Sequence, residues 1–124
     1  MELETETARG RTTISSYAPD GVVIGAEKFT ESFILMPDGN PERWAVDRFS
    51  DLSTSILDAL CAVDCEVLLI GTGTNQQFPD SGHTRVLVER NRSAEFMSSR
   101  SACSTFNVLS LDDRSVTAAI ILPL

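Results

Sequence analysis

The sequence predicts one α/β domain in three layers: a mixed central β-sheet with helices on its faces, plus a small additional β layer from the N-terminal half. Strand-like segments separated by turn residues fill the first half of the chain, whereas helical and strand-like segments alternate in the second half. Residues 66–70 and 116–122 are apolar on both faces, as in strands that helices cover on both sides. We therefore expect these two strands to be neighbours in the interior of one sheet.

The first half of the chain has the pattern of strands and turns. A β-like pattern extends over residues 14–36 and includes a turn at residues 19–21, where a proline fixes φ and a glycine accepts a positive φ. A second turn is predicted at residues 37–41. A short strand around residues 43–46 is expected next, and it holds the single tryptophan, Trp44.

The second half contains three predicted helices. Ser53 is a suitable N-cap for a first helix that extends to about residue 63, because apolar residues follow it at helical spacing. Residues 79–91 favour a second helix, but a solid apolar block at residues 86–88 leaves a strand as the alternative. A short strand at residues 94–97 then precedes the third helix.

That third helix is the clearest of the three. Ser98 or Ser99 caps it, and apolar side chains line one of its faces, with Cys103 beside them.

Charge and hydropathy restrict the class of protein. The formal net charge is −8, so the chain repels phosphate backbones and nucleic-acid binding is not expected. No apolar run approaches the roughly 20 residues that a membrane helix needs. The first residues are acidic and polar, unlike a secretory signal or a mitochondrial presequence. We expect a cytoplasmic protein without membrane insertion, with residues 1–10 as a flexible tail and residues 11–124 as a single domain.

Two glycines that follow a buried strand form the main candidate site. Gly71 and Gly73 come directly after residues 66–70, and ligands of α/β proteins bind beyond the carboxyl ends of strands. The backbone amides of this loop, near the start of the second helix, are candidates for binding a small anion or nucleotide. No P-loop lysine follows, so a tight turn required for packing is the alternative. We expect one glycine to have a positive φ or a Cα packed against another segment, and the loop to border the main cleft.

The candidate ligand-binding residues belong to this loop and to the third helix. They are Gly71, Thr72, Gly73, Thr74, Gln76, Thr105 and Asn107. If the third helix packs near the loop, Asn107 is placed to hold the loop in shape; the alternative is that its amide satisfies a neighbouring backbone.

Cysteine and histidine chemistry has weak support in the sequence. The three cysteines are expected to be reduced and free of metal, and Cys61 and Cys65 would share one face of a helix. Cys103 or Ser32 with His83 as the base would be the nucleophilic arrangement, and Cys103 lies near a helix N-terminus that could lower its pKa. No acid that would orient His83 is identifiable, so buried, inert thiols are favoured. We predict no catalytic residues, no metal and no cofactor.

Several local patterns occur together, in order, over residues 14–123, and they resemble one family of small domains. The matching positions are Tyr17, Gly21, Val23, Ile24, Ser32, Pro37, Trp44, residues 68–73, Pro79, Glu95, Met97, Ala102, Cys103, residues 105–109, Arg114, Val116, Ala118, Ala119 and Pro123. The family is typified by the mitochondrial complex I assembly factor 3 and includes many bacterial and archaeal members. This chain departs from its pattern at Ser104, where the family usually has an arginine.

The resemblance implies a non-enzymatic interaction or assembly module with protein partners, linked by analogy to the assembly of respiratory complex I. The alternative, from another class, is a small-ligand-binding domain or an enzyme that uses the cleft at the loop of Gly71 and Gly73. The sequence defines neither the partner nor the oligomeric state.

Overall fold

The computed structural model of the protein describes residues 13–124, and the predicted tail, residues 1–10, lies outside this range. Within it the chain forms eight strands and three α-helices. The strands are β1 (Ile14–Ala18), β2 (Gly21–Ile24), β3 (Glu27–Phe29), β4 (Phe33–Leu35), β5 (Pro41–Arg43), β6 (Val67–Gly71), β7 (Glu95–Met97) and β8 (Val116–Ile120). The helices are α1 (Thr54–Cys61), α2 (Ser81–Glu89) and α3 (Ser99–Leu111), and a 3-10 turn covers Phe49–Asp51.

A mixed five-stranded sheet with the strand order β5-β4-β8-β6-β7 forms the centre of the domain. β8 lies in the middle, parallel to β6 and antiparallel to β4. All five residues of β8 are buried, because layers of side chains cover both faces of this strand. The prediction that β6 and β8 are interior neighbours is confirmed, although β8 ends at Ile120 and not at residue 122.

The small antiparallel sheet β1-β2-β3 and helix α3 cover one face of the central sheet. Their apolar side chains form a core with those of β4, β6 and β8, and Phe33 and Phe106 are its largest buried members. The predicted three-layer α/β fold with an additional N-terminal β layer is thereby confirmed.

Helices α1 and α2 cover the opposite face. Leu57 and Leu60 of α1 pack on Leu68, Ile70 and the neighbouring side chains of the sheet. A cluster of rings, formed by Phe49, His83 and Phe96, joins the 3-10 turn, α2 and β7, with centroid separations of 5.6 to 6.5 Å.

Two further local predictions change in the structure, and one alternative is decided. β5 covers residues 41–43 and not 43–46, because its pairing with β4 begins directly after the turn; Trp44 follows the strand and is buried in the core beneath α1. The helix favoured for residues 79–91 is confirmed over the alternative strand, and it is α2. Helix α1 ends at Cys61, so Cys65 lies beyond it and the two cysteines do not share a helix face.

The helix-capping signals were informative. Ser53 caps α1 by accepting a hydrogen bond from the backbone N–H of Ile56, and Ser98 caps α3 through the N–H of Ser101. Asp80 caps α2.

Candidate functional site

The glycine loop, residues 71–77, begins at the carboxyl end of β6 and lies beside the carboxyl end of β8. Because β6 and β8 are parallel, their carboxyl ends meet at the same edge of the sheet. The N–H of Ile121, just past β8, donates a hydrogen bond to the carbonyl of Gly71 (3.1 Å). The start of α3 closes the third side of the loop, where the N–H of Ser99 donates to the carbonyl of Gly73 (2.8 Å).

The two glycines are required for different physical reasons. Gly73 has a φ of +103°, a conformation that favours glycine, and a Cβ added there would meet nothing closer than 3.9 Å. At Gly71 an added Cβ would lie 2.9 Å from the Cα of Ser99, so the backbones are too close for any side chain. The predicted positive φ and the predicted close approach are both confirmed, each at its own glycine.

Ser99 is the buried hydroxyl that holds this junction together. Its Oγ accepts a hydrogen bond from the N–H of Gly73 (2.9 Å) and donates one to the carbonyl of Ile121 (2.6 Å). The sequence suggested only that Ser98 or Ser99 caps α3; Ser98 is the N-cap, and Ser99 instead connects the helix to the loop. No spacing in the sequence indicates this role, because Ser99 lies 26 residues after Gly73 and 22 residues before Ile121.

The other polar side chains of the loop also bind backbone groups. The Oγ1 of Thr72, which is buried, lies 2.7 Å from the carbonyl of Asn75 and 3.1 Å from that of Met97, and it accepts a hydrogen bond from the N–H of Gln77. The side-chain amide of Gln76 donates to the carbonyl of Phe96 in the edge strand β7 (3.1 Å). These contacts fix the shape of the loop from within.

Three backbone amides of the loop proposed for anion binding have partners of their own. The N–H of Thr72 donates to the carbonyl of Met97 (2.8 Å), and those of Gly73 and Gln77 bind Ser99 and Thr72. This arrangement favours the alternative of a tight turn that packing requires.

The N-terminus of α2 already holds a carboxylate of the chain. The Oδ1 of Asp80 accepts from the N–H of His83 (2.9 Å), and this hydrogen bond keeps the pKa of Asp80 below its usual value. Ligand binding by the loop stays a prediction.

A cleft of about 190 Å³ borders the loop. It lies between Thr72, Gly73, Thr74 and Gln77 on one side and residues 47–49 and 121–123 on the others. The loop is therefore next to a cleft, as predicted, but a groove of about 360 Å³ beside α1 is larger, so this cleft is not the main one.

The candidate residues of α3 lie away from the loop. Asn107 binds both backbone groups of Ile14: its Oδ1 accepts from the N–H (2.7 Å) and its Nδ2 donates to the carbonyl (2.8 Å). This amide fastens β1 to α3 and does not support the glycine loop, so the alternative of a satisfied neighbouring backbone is the one observed. Thr105 is half-buried on the same helix.

The structure does not bring His83 together with Cys103 as a nucleophile and its base. His83 lies among the rings beneath α2, whereas Cys103 lies in the core beneath α3, on the opposite face of the sheet. Both ring nitrogens of His83 are engaged: Nε2 lies 2.7 Å from the carbonyl of Leu52, and Nδ1 lies 3.2 Å from the N–H of Asp80. The Oγ of Ser32 accepts from the N–H of Leu122 (3.1 Å).

The two buried thiols, Cys61 and Cys103, do not have the environment of reactive groups. Burial raises the pKa of Cys103 to about 12, although a helix N-terminus could have lowered it, and burial also raises the pKa of Cys61. All three cysteines are free, and a guanidinium nitrogen of Arg92 contacts the sulfur of Cys65. Within residues 13–124, no three His, Cys, Asp or Glu side chains are grouped as a metal site requires.

The fold places the chain in a class of small three-layer α/β domains known from solved structures. A crystal structure of a Bordetella parapertussis protein superposes with a TM-score of 0.83 at 26% identity, covering 92% of this chain and 98% of that one. The chain belongs to the family described as proteins of unknown function, DUF498/DUF598, which it matches over residues 14–121.

Two curated relatives are similar over almost the whole chain. A Danio rerio protein, NADH dehydrogenase (ubiquinone) 1 alpha subcomplex assembly factor 3, is 30% identical over 123 residues, which cover 98% of this chain and 70% of that protein. The 13 kDa major membrane protein of Francisella tularensis is 27% identical over 122 residues, which cover 98% of this chain and 99% of that protein. In the part of this chain that the structure describes, no helix has the length and apolarity needed to cross a membrane.

Proposed function

We propose that the protein is a non-enzymatic interaction module that assists the assembly of a multi-subunit complex, and that this complex is the respiratory NADH dehydrogenase, complex I. The observation that carries the proposal is the 30% identity to the Danio rerio assembly factor over 98% of this chain. A similarity of this extent includes the whole α/β domain and not only its core strands. Under this proposal the chain acts by binding protein partners and needs no cofactor.

Polar groups near the glycine loop are hydrogen-bonded within the protein itself. This arrangement supports a binding role over an enzymatic one. The hydroxyls of Thr72 and Ser99, at the carboxyl edge of the sheet, are hydrogen-bonded to backbone groups of the chain. His83, the single histidine of the chain, contacts backbone groups through both ring nitrogens. Such groups contribute to the rigidity of a domain and are not available to a substrate without rearrangement.

Affinity capture combined with a gene deletion tests this function. The tagged full chain is expressed from its own locus, and captured proteins are quantified against a strain that carries the tag alone. We expect NADH dehydrogenase subunits to be enriched, and the deletion strain to contain less assembled complex on native gels at unchanged subunit transcript levels. Unchanged assembly together with no enrichment of subunits would overturn the proposal.

A small-ligand site at the glycine loop is the competing function, and the observation that favours it is that Arg48, next to Asp47, lines the cleft. A ligand that binds only the native state raises the Tm. A thermal-shift panel of phosphate, nucleotides and common metabolites at millimolar concentration tests this possibility. A reproducible rise that Arg48→Ala abolishes would favour ligand binding, whereas no rise would leave the interaction module as the function.

A further inference from the structure

An apolar groove lies between α1 and the end of the central sheet formed by β4 and β5. Its volume is about 360 Å³. We call it the α1 groove; it is lined by Ile34, Met36, Glu42, Trp44, Ile56, Ala59, Leu60 and Val63. None of these residues belongs to the glycine loop, so the groove is a separate surface.

The groove exists because two helices cover only part of a five-stranded face. Helices α1 and α2 pack against each other, and the core beneath them includes side chains of β6 and β8. In the row Glu42–Ile34–Ala119 across the sheet, Ala119 is buried whereas Ile34 is only half-buried. The end of the sheet at β4 and β5 is therefore the position on this face that a further helix would occupy.

The apolar residues that α1 contributes to the groove lie at the spacing of a single helix face. Ile56, Ala59, Leu60 and Val63 follow the i, i+3, i+4, i+7 pattern and form one stripe along α1 and the turn after it. Ala59 is exposed and small, which leaves space between the larger side chains on either side. An apolar groove of this kind receives the apolar face of an amphipathic helix.

The charge on the groove is negative. Glu42 is the one charged residue among its lining residues. Its neighbour Arg43 points to the opposite side of β5, where its guanidinium forms an ion pair with Glu31. Asp64, which directly follows Val63, is exposed at the end of the stripe. A partner with basic residues beside its apolar face complements this surface.

We infer that the α1 groove binds a basic amphipathic helix of a protein partner. This inference deepens the proposed function and rests on it, because it names the chemistry of the partner. Addition of a strand to the edge of β5 is disfavoured, since β5 has three residues and begins with Pro41, which has no N–H to donate. A second copy of the chain fits poorly, because its net charge of −8 opposes its approach to an acidic surface.

Three synthetic peptides of about five helical turns test the groove directly. The first has a leucine stripe flanked by lysines, the second has glutamates in place of the lysines, and the third is a scramble of the first. We expect the basic amphipathic peptide to bind at least about tenfold more tightly than either control. In NMR titrations the shifted methyl groups should be those of Ile34, Ile56 and Val63. Equal binding of the scramble, shifts confined to other surfaces, or dimerisation through the groove would overturn the inference.

Matched variants distinguish peptide binding at the groove from nonspecific attraction to the negative charge of the protein. Ala59→Leu fills the groove and should weaken the basic peptide at least about tenfold, whereas Ala62→Leu, at an exposed alanine just past α1, should not. Glu42→Gln should weaken it about two- to fivefold, and Glu95→Gln, on the edge strand at the other end of the sheet, should leave it unchanged. Equal effects within either pair would contradict a specific site.

The Ala59→Leu and Ala62→Leu variants, tested in cells, distinguish the inference about the groove from the proposed assembly function. If wild-type protein enriches NADH dehydrogenase subunits and Ala59→Leu does so equally, the inference about the groove is wrong and the assembly function stands. If wild-type protein enriches none of them and the deletion leaves assembly unchanged, the assembly function is wrong, and the peptide experiment alone decides whether the groove binds basic helices.

Discussion

Ser99 and Gly73 are joined by two hydrogen bonds of opposite direction, one from each backbone N–H. The N–H of Ser99 donates to the carbonyl of Gly73 (2.8 Å), and the N–H of Gly73 donates to the Oγ of Ser99 (2.9 Å). The same hydroxyl donates to the carbonyl of Ile121 (2.6 Å). One side chain therefore connects the glycine loop, the first turn of α3 and the segment after β8. This junction is the most constrained part of the candidate site.

Removing this hydroxyl should destabilise the domain without any change in the apolar core. In Ser99→Ala the N–H of Gly73 and the carbonyl of Ile121 lose a buried partner, so we expect the free energy of unfolding to fall by about 1–3 kcal/mol. Ser101→Ala, at an exposed serine of the same helix, should lower it by about 0.5 kcal/mol or less. Urea unfolding measures both; similar values for the two variants would show that the junction is not stabilising.

The two glycines of the loop should differ in their response to alanine. Gly73→Ala meets open space but a φ of +103°, so it should cost about 1 kcal/mol or more through backbone strain. Gly71→Ala should cost more, because its Cβ would lie 2.9 Å from the Cα of Ser99. Thr74→Ala is the control in the exposed part of the loop and should cost least.

Denaturant midpoints of these three variants give the order. A cost for Gly73→Ala with partner or ligand binding intact indicates architecture alone, whereas lost binding at unchanged stability indicates a functional surface. If Gly71→Ala were as stable as Thr74→Ala, the close approach to α3 would be refuted.

The elements that were predictable from the sequence are those that local chemistry specifies. The two-sided apolar runs identified β6 and β8 as interior strands, and Ser53 marked the start of α1 because a cap is a contact within one turn. The ambiguous block at residues 86–88 lies in α2, where Val88 is exposed and Val86 and Leu87 are half-buried. Only packing against the sheet and α1 decides between helix and strand for such a block.

Contacts between distant segments were not predictable. Asn107 binds Ile14, 93 residues away, and no spacing in the sequence indicates that pair. The larger groove was missed for the same reason, since its walls come from α1 and from strands that precede it by about twenty residues. The loop glycines were recognised because they directly follow a buried strand in the sequence, whereas the role of Ser99 depends on Ile121, which lies 22 residues further along the chain.

Two buried threonines should respond in opposite directions to the same substitution. Thr117, in β8, is fully buried, and among residues 13–124 its Oγ1 has no hydrogen-bond partner. Thr117→Val replaces that hydroxyl with a methyl of similar size and should raise the free energy of unfolding by about 1 kcal/mol. Thr72→Val removes a hydroxyl that contacts three backbone groups and should lower it by about 1–3 kcal/mol. Destabilisation by Thr117→Val in urea unfolding would show that its hydroxyl has a partner in solution.

The buried thiols should make stability depend on alkaline pH. Burial raises the pKa of Cys103 to about 12 in the native state, whereas an unfolded thiol titrates near 8.5. Above that lower value the unfolded chain loses its proton first, so the free energy of unfolding falls as pH rises, by about 2 kcal/mol at pH 10. Below about pH 8 both states keep the proton, and this thiol adds no pH dependence.

Cys103→Ala isolates this effect from the titration of other groups. Although the variant loses packing at every pH, its free energy of unfolding should fall less steeply than that of the wild type between about pH 8 and pH 10. Unfolding in urea under reducing conditions at several pH values gives the two slopes. In native protein at pH 8, iodoacetamide should modify the half-buried Cys65 well before the fully buried Cys103. Parallel slopes, or early alkylation of Cys103, would mean that this thiol is reached by solvent, and the packing of α3 on the sheet would then be looser than the structure describes.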